Sequence, residues 1–476
     1  MARITNPSLR NKTIYSVYVR NHSRTGDFEG LIADLGRISN LGVDIIWLLP
    51  IHPIGAEKRK GVLGSPYAIS DYRTINPEIG TMDDFSKFVE AAHRRGLMVI
   101  IDVVFNHTSV DSLMRRVHPN WFWKNPNGTP GNKIGEWNDV IDLDYSAKEL
   151  WNHQIETLKG WITRGVDGFR CDVASLIPLP FWFDAHDACS RMNPDTIWIA
   201  ETVESSFIHA VRHMGFDCLS DCELLEVFDL SYDYDVYSDW IRLIHGAIDL
   251  ERYMDGLRLQ ESTYRESDLK LRFLENHDLS RAAGLLKSSV PDGRKAPKNP
   301  SRIRFPDLTE GHDARGGALA AWTAFSLFQK GAALVCAGQE YMARDKPSLF
   351  NRDPIDWSAM NDIDCVRHHD LLKRCVELKK SGIVRDGYFW YPPAPACCMA
   401  AAYERRNSNA GLIGLRVGVF NVETQSPREF DMGANWGELR SDEVFHKPLD
   451  NSRSTLNDGI LTIVDRITIL DWGQID

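Results

Sequence analysis

Residues 98–105 read MVIIDVVF, an apolar run broken only by Asp102, and residues 44–49 read DIIWLL. Such short runs without polar alternation are typical of strands that are buried on both faces. Between them, Thr81-Met82-Asp83-Asp84 has the Ser/Thr-x-x-acid spacing of a helix N-terminus, which predicts a helix from there to Gly96. The order strand, helix, strand is that of a parallel sheet covered by helices.

The same alternation extends in both directions from this unit. We predict further strands and helices, and Ser146-Ala147-Lys148-Glu149 repeats the helix-start spacing. Six or more such units over roughly 375 residues favour a (β/α)8 TIM barrel, although periodicity alone leaves a three-layer sheet open. The further strands are Ile14–Val19, Val166–Val173, Ile197–Thr202, Leu271–Asn276 and Ala333–Gly338, and the further helices are Phe28–Leu41 and a segment around Gly317–Gln329.

The chain changes character after about Gly387. Runs such as LIGLRVGVFNV (412–422) and GILTIVDRITIL (459–470) alternate with period two and are separated by polar turns, which indicates an antiparallel β domain. We therefore predict a catalytic barrel over 1–106 and 146–385, a short inserted subdomain after the third strand over 107–145, and a C-terminal β-sandwich domain over 386–476.

The amino-acid composition limits the classes of molecule that the protein is expected to bind. With 55 Lys and Arg against 66 Asp and Glu the formal net charge is −11, which argues against nucleic acid and anionic membranes and is compatible with a neutral substrate. The N-terminal segment lacks the apolar core of a signal peptide, and no apolar run approaches the ~18 residues of a membrane helix. The nine scattered cysteines are typical of reduced thiols, so we expect a cytoplasmic protein. Composition says nothing about oligomeric state.

Three acids follow predicted strands, where a barrel carries its catalytic groups. They are Asp172 after DGFRCDV, Glu201 after IWIA, and Asp278 just beyond LRFLEN. Any one of them could instead cap the next helix or pair with an arginine. Arg170 shares a strand face with Asp172 and should keep that carboxylate ionised, as a nucleophile must be. Burial beside IWIA should raise the pKa of Glu201, as a general acid needs.

One ionised and one protonated carboxyl that flank an anomeric carbon are what glycoside cleavage requires. His277 and Asn106-His107 add neutral hydrogen-bonding groups to the same rim, where they could stabilise a charge-developing transition state. This combination points to a glycosidase.

Four motifs make the chain resemble the α-amylase family of glycoside hydrolases. They are DVVFNH at 102–107, GFRCD at 168–172, IAE at 199–201 and ENHD at 275–278, in the family's order. GSPY at 64–67 and GQE at 338–340 support the match. A single motif would be weak evidence, whereas four in series are specific.

The resemblance implies a retaining enzyme that cleaves α-1,4-glucosidic bonds in starch- or glycogen-type glucans or maltooligosaccharides. Asp172 would be the nucleophile, Glu201 the acid/base and Asp278 the transition-state stabiliser. The alternatives are an α-glucosidase or a glucan transglycosylase that uses the same site. A catalytically silent binding protein is a different class, which loss of any of the three acids would favour, and all three are present. In the substrate-binding roles, Arg170 would orient Asp172, His107 and His277 would bind sugar hydroxyls, and Tyr67 would stack on the sugar ring.

The chain departs from the family at the calcium site that many members have. The Lys-His pair expected shortly after the nucleophile is replaced within Val173-Ala174-Ser175-Leu176, although Asn106 and Asp142 could still supply oxygens. We therefore predict no required cofactor and no metal ligands, and a structural calcium is in doubt. The aromatic residues of the insertion could form either a sugar-stacking wall or the core of a small subdomain; they are Trp121, Phe122, Trp123 and Trp137.

Overall fold

The computed structural model describes residues 6–135, 137–288, 314–422 and 427–476. The strands in this part of the chain are β1 Thr13–Val17, β2 Ile45–Leu48, β3 Met98–Val103, β4 His107–Ser109, β5 Val140–Asp142, β6 Gly168–Cys171, β7 Ile197–Ala200, β8 Leu230–Tyr232, β9 Leu269–Arg272, β10 Ala332–Cys336, β11 Tyr388–Trp390, β12 Cys398–Arg406, β13 Leu412–Asn421, β14 Arg428–Asp431, β15 Val444–Lys447, β16 Ser452–Thr455, β17 Ile460–Ile463 and β18 Ile467–Gly473. The α-helices are α1 Val19–His22, α2 Phe28–Asn40, α3 Met82–His93, α4 Leu113–Val117, α5 Lys148–Thr163, α6 Leu179–Ser190, α7 Ser205–His213, α8 Asp221–Leu224, α9 Tyr234–Ile244, α10 Leu250–Thr263, α11 Ala282–Ser288, α12 Ala314–Phe328, α13 Ile363–Lys379, α14 Gly382–Asp386 and α15 Met432–Asn435.

Eight parallel strands close into a barrel in the order β1-β10-β9-β8-β7-β6-β3-β2, which confirms the predicted TIM barrel. Strands β2, β6 and β7 are buried along their whole length, because the barrel interior covers one face and the helices cover the other. Gly168 begins β6 where the neighbouring strand is very close: a Cβ there would lie 2.4 Å from the Ile197 carbonyl oxygen.

Two helix-start signals had different outcomes. Thr81 is the N-cap of α3, and its side chain and that of Asp84 form the reciprocal capping box, as predicted. Helix α5 instead begins after Ala147, which makes no side-chain cap bond. The prediction of a Ser146 cap was wrong, because the Ser146 backbone N–H donates to the Asp144 carboxylate in a turn that precedes the helix.

Two barrel strands differ from the prediction. Strand β8 was missed because it has only three residues within a stretch that alternates apolar and acidic side chains. Strand β9 ends at Arg272, so the interval predicted at 271–276 was shifted toward the C-terminus. Lys270 and Arg272 of β9 are buried in ion pairs, Lys270 with Asp221 at 2.5 Å and Arg272 with Asp233 at 3.0 Å. Because these two residues are charged, β9 lacks the continuous apolar run by which the other barrel strands were predicted.

The insertion after β3 is a small antiparallel unit. Strand β4 pairs with β5, with His107 opposite Asp142, and the Leu143 backbone N–H donates to the Asn106 carbonyl at 2.9 Å. The segment therefore starts and ends at the mouth of the barrel, directly beside the end of β3.

The C-terminal region is antiparallel, as predicted. A six-stranded sheet has the order β11-β12-β13-β18-β15-β16, and β14 pairs separately with β17. Its contacts with the barrel include aromatic packing and hydrogen bonds. Phe420 packs on Phe328 of α12 with ring centroids 5.5 Å apart, and the Tyr403 hydroxyl donates to the Phe328 carbonyl. The residue boundaries of the three regions stay predictions.

Within the described residues, none of the helices has the length and apolar character needed to cross a membrane. All nine cysteines lie in the described residues, and none of them is in a disulfide bond.

Candidate active site

Neighbouring strands of the barrel bring the predicted acids to one end of it. Asp102 on β3 lies opposite Arg170 on β6, and Arg170 lies opposite Ile199 on β7. Asp172 and Glu201 are the first residues after β6 and β7. All of these side chains therefore lie at the carboxyl ends of adjacent parallel strands, where barrel enzymes carry their active sites.

Arg170 is the centre of the cluster. Its Nη1 donates to Asp102 Oδ1 and to Asp172 Oδ1, both at 2.8 Å, and its Nε donates to the Tyr232 hydroxyl at 3.0 Å. Its Nη2 lies 2.8 Å from Glu201 Oε1 as an ion pair. The guanidinium is fully buried, so one delocalised cation holds three carboxyl groups in a fixed arrangement.

The residue after Asp172 has an unusual backbone. Val173 has φ 41° and ψ 45°, in the left-handed region, which is costly for a β-branched residue. The conformation directs its backbone N–H to Glu201 Oε2 at 2.8 Å. The strained turn thus ties the segment that follows Asp172 to the Glu201 carboxyl.

The carboxyls of this cluster have strongly perturbed acidities. Burial raises the pKa of Asp172 to about 7 and that of Glu201 to about 7, and Arg170 opposes both shifts. The neighbouring carboxylate of Asp278 adds to each shift. This differs from the expectation that Arg170 simply keeps Asp172 ionised, because the guanidinium is shared and the site is buried.

Of Asp172 and Glu201, Asp172 should lose its proton first as the pH rises. Arg170 makes a hydrogen bond to Asp172 as well as an ion pair, whereas its contact with Glu201 is an ion pair without hydrogen-bond alignment. A hydrogen bond to the charged form favours ionisation. The arrangement can therefore hold Asp172 as the carboxylate and Glu201 as the acid.

Asp278 reaches the cluster through His277 and Tyr67. His277 Nε2 lies 2.9 Å from Asp278 Oδ2 and 2.5 Å from the Tyr67 hydroxyl, and that hydroxyl also donates to Asp102 Oδ2 at 3.2 Å. Desolvation would raise the pKa of Asp278, but His277 and Arg170 outweigh it and lower the pKa to about 2. Asp278 is thus a permanent negative charge at the rim.

Tyr67 and His107 are the remaining predicted site residues, and both lie next to this cluster. The Tyr67 ring stacks on His277 with ring centroids 5.5 Å apart. The His107 imidazole makes a hydrogen bond with the backbone of Tyr67. Burial lowers the pKa of His107, so it is a neutral hydrogen-bonding group. The structure therefore brings all seven predicted site residues together.

Sequence reasoning missed two members of the cluster. Asp102 was quoted as part of a motif but was not recognised as a partner of Arg170, and Tyr232 lies on β8, the strand that was not predicted. An acid in the middle of an otherwise apolar strand was the available signal for Asp102.

At the positions where many family members bind calcium, the acids of this chain have contacts within the protein. Asp142 Oδ2 accepts from the Lys133 backbone N–H at 2.8 Å, and Oδ1 lies 3.4 Å from Asn106 Nδ2. Asp139 is paired with Lys60 at 2.8 Å. Calcium takes six or more oxygen ligands, and in the part of the chain that the structure describes no three His, Cys, Asp or Glu side chains form a metal-binding group.

The aromatic residues of the insertion divide between the two alternatives. Trp121 and Phe122 belong to the buried core, so they pack rather than face a ligand. Trp137 is half-buried, with its ring 5.8 Å from His107 and 6.5 Å from Phe207. Trp137 thus lies beside the candidate site residue His107, whereas the Trp123 ring lies 6.0 Å from that of Phe216.

Comparison with known sequences gives one consistent family. The model for the alpha amylase catalytic domain matches residues 14–132. Alpha-amylase MalA of Haloarcula japonica is 26% identical over 385 residues, 75% of this chain and 49% of that protein. The alpha-1,4-glucan:maltose-1-phosphate maltosyltransferase of Cereibacter sphaeroides is 33% identical over 198 residues, 37% of this chain and 33% of that protein. The chain thus spans half or less of the length of these curated relatives.

Solved structures match over the whole length. The alpha-amylase from Lactobacillus plantarum is 36% identical, with 98% of this chain and 100% of that chain covered and a TM-score of 0.85. The noncanonic maltogenic alpha-amylase AmyB from Thermotoga neapolitana is 29% identical, with 98% and 100% covered and a TM-score of 0.79. The similarity therefore includes the barrel, the insertion and the C-terminal region.

Proposed function

The chain belongs to the α-amylase family, and from this premise we propose that it is a retaining glycoside hydrolase that cleaves α-1,4-glucosidic bonds in starch- or glycogen-type glucans or maltooligosaccharides. The observation that carries the proposal is the contact of Arg170 with both Asp172 and Glu201. It supports the proposal because glycoside cleavage by double displacement requires two neighbouring carboxyl groups, one ionised and one protonated.

In this mechanism Asp172 attacks the anomeric carbon as the carboxylate that Arg170 orients. Glu201 protonates the departing glycosidic oxygen in the same step and so gives a β-linked glycosyl ester on Asp172. Glu201, now ionised, then removes a proton from an incoming water, whose oxygen displaces Asp172. Two inversions restore the α configuration.

The remaining residues would bind and polarise the sugar. The negative charge of Asp278 stabilises the oxocarbenium character of the transition state and can accept hydroxyl protons. His107 and His277 supply hydrogen bonds to hydroxyls, and the Tyr67 ring offers an apolar face to the sugar. Asp102, which contacts both Arg170 and Tyr67, holds these two residues in place.

Product analysis tests the function. Amylose, maltotriose, pullulan, sucrose and trehalose are each incubated with the protein and followed by chromatography, with proton NMR of the first minutes on the best substrate. We expect shortening of amylose and maltotriose and initial release of the α-anomer. Initial β-anomer would contradict the retaining mechanism, and turnover of sucrose or trehalose alone would contradict the α-1,4-glucan assignment.

Glucan transfer is the second candidate, with the same first step. Trp137 and Phe207 form a half-buried apolar surface beside the segment that carries Glu201, and an apolar acceptor side excludes water in favour of a sugar. The matched maltosyltransferases are consistent with it. Products longer than the maltotriose supplied would support transfer, whereas only maltose and glucose would support hydrolysis.

The pH dependence of activity follows from the raised pKa values of Asp172 and Glu201. We expect kcat/KM to fall on the alkaline side with an apparent pKa of about 7, because Glu201 must carry a proton and loses it as the pH rises through that value. On the acid side activity falls when Asp172 becomes protonated. Rates measured from pH 4 to pH 10 check this; a profile that stays flat to about pH 9 would contradict a Glu201 acid.

The substrate is neutral, in keeping with the net charge of −11. A cytoplasmic location, without nucleic-acid or membrane partners, stays a prediction, supported by nine cysteines that form no disulfide among the described residues.

A further inference from the structure

A separate apolar cluster, which we call the insertion clamp, joins the insertion to the catalytic loops. It is distinct from the barrel core and from the core of the C-terminal region. Three segments of the chain contribute to it: the insertion, the turn after β6, and the segment from Val203 to Cys218 that includes α7. Its members are the buried Val173, Leu176, Val211 and Cys218 and the partly buried Ile134, Trp137, Val203, Phe207, Ile208 and Phe216.

Leu176 lies where these segments meet. It is 6% exposed, four residues after Asp172, within the stretch where many family members have the Lys-His pair. The turn around it is fixed on both sides, since Ala174 N–H donates to the Glu201 carbonyl at 3.1 Å and Leu219 N–H to the Ser175 carbonyl at 2.7 Å. A change at Leu176 therefore acts on the segments that carry Asp172 and Glu201.

The acids of the insertion, next to the clamp, have partners within the protein. The insertion acids bond within the chain, Asp142 to the Lys133 backbone and Asp139 to Lys60, and Asn106 lies 3.4 Å from Asp142. Direct contacts thus connect the end of β3 with β5, a connection that a bridging cation makes in other members.

We propose that the insertion clamp, together with the Asn106–Asp142 contact, takes the place of the family's structural calcium, so that the fold and the activity of this chain require no divalent cation. Ile134 and Trp137 pack on the cluster that contains Leu176, and the Trp137 ring lies 6.5 Å from that of Phe207. This apolar packing removes from water the same segments that the ion would cross-link. The inference depends on family membership and the contacts of the clamp, and it does not depend on which bond the enzyme cleaves.

The first test uses the unaltered protein. After dialysis against EDTA, metal content is measured by mass spectrometry, and the melting temperature is recorded before and after addition of calcium chloride. We expect calcium well below one ion per chain and a melting temperature unchanged within about 1 °C by either treatment. About one calcium per chain after dialysis, or a loss of more than about 3 °C that calcium restores, would overturn the proposal.

The second test locates the clamp. Leu176→Ala is compared with Leu257→Ala, which removes the same atoms from a fully buried position on α10. Both should lower the melting temperature by about 5 °C, but Leu176→Ala alone should expose the insertion to trypsin at Lys124 and Lys133 well below that temperature. Fragment masses identify the cut sites.

Ile134→Ala, on the insertion side, provides a milder variant because Ile134 is only partly buried. It should increase the same two cleavages without unfolding the barrel. Equal tryptic patterns for Leu176→Ala and Leu257→Ala, with no effect of Ile134→Ala, would show that the clamp does not hold the insertion. Protection of the Leu176→Ala insertion by added calcium would equally contradict the proposal.

Discussion

Asp172→Asn should lower kcat/KM on maltooligosaccharides by about 10⁴-fold or more, because the amide cannot form the glycosyl ester. The side chain keeps its shape and its oxygen can still accept from Arg170 Nη1, now 2.8 Å from Asp172 Oδ1. The melting temperature should therefore stay near that of the unaltered protein, or rise, since a buried charge is removed.

Asp187→Asn is the matched control, because Asp187 is an exposed helix residue with only a surface ion pair to Arg191. Its kcat/KM should stay within about twofold. Initial rates and differential scanning fluorimetry on the same preparations separate chemistry from folding. Activity of Asp172→Asn within about tenfold of the unaltered protein would reject Asp172 as the nucleophile.

Glu201→Gln should lower kcat/KM on amylose or maltotriose by about 10³-fold, because the leaving oxygen is no longer protonated. α-Glucosyl fluoride needs no such proton, so formation of the glycosyl ester from it should be affected far less. The ester should then accumulate and become visible by mass spectrometry of the intact protein. Azide, which needs no general base, should release it as a glucosyl azide.

Glu204→Gln, three residues away and exposed, is the control for the second prediction and should leave all of these rates within about threefold. With α-glucosyl fluoride as the substrate, kcat/KM of Glu201→Gln should no longer fall as the pH rises through about 7. An equal loss on amylose and on the fluoride would assign Glu201 a structural role and would contradict general acid catalysis.

The insertion after β3 shows what a local sequence pattern can predict and what it cannot. The sequence indicated its position and its aromatic content, but Trp121 and Trp137 look alike in a polar loop. Only packing separates them: Trp121 is 9% exposed in the main core, whereas Trp137 lies half-buried against His107 and Phe207. Which side of a small subdomain faces the barrel depends on contacts that are distant in the chain.

Strands β8 and β9 show a second limit of prediction from local sequence patterns. Apolar runs predict strands whose two faces are both covered by apolar groups, as for β3 and β7. Lys270 and Arg272 of β9 are buried against the acids Asp221 and Asp233 instead, and periodicity does not represent paired charges. A strand stabilised by buried ion pairs can be recognised only when the tertiary structure shows the acids that pair with it.

The sequence alone predicted the alternating strands and helices, the antiparallel C-terminal region and the acids at the strand ends, because these depend on short-range periodicity and on the residue that follows an apolar run. Periodicity favoured the barrel but left a three-layer sheet open, and the closure of the eight strands is a property of the tertiary structure. The tertiary structure alone decided that Arg170 contacts three carboxyls and that Asp172 and Glu201 therefore share one cation. The physical reason is strand register: the hydrogen bonds that place Asp102 opposite Arg170 and Arg170 opposite Ile199 join residues tens of positions apart, and the acidity of each carboxyl depends on those neighbours and on burial rather than on its own segment.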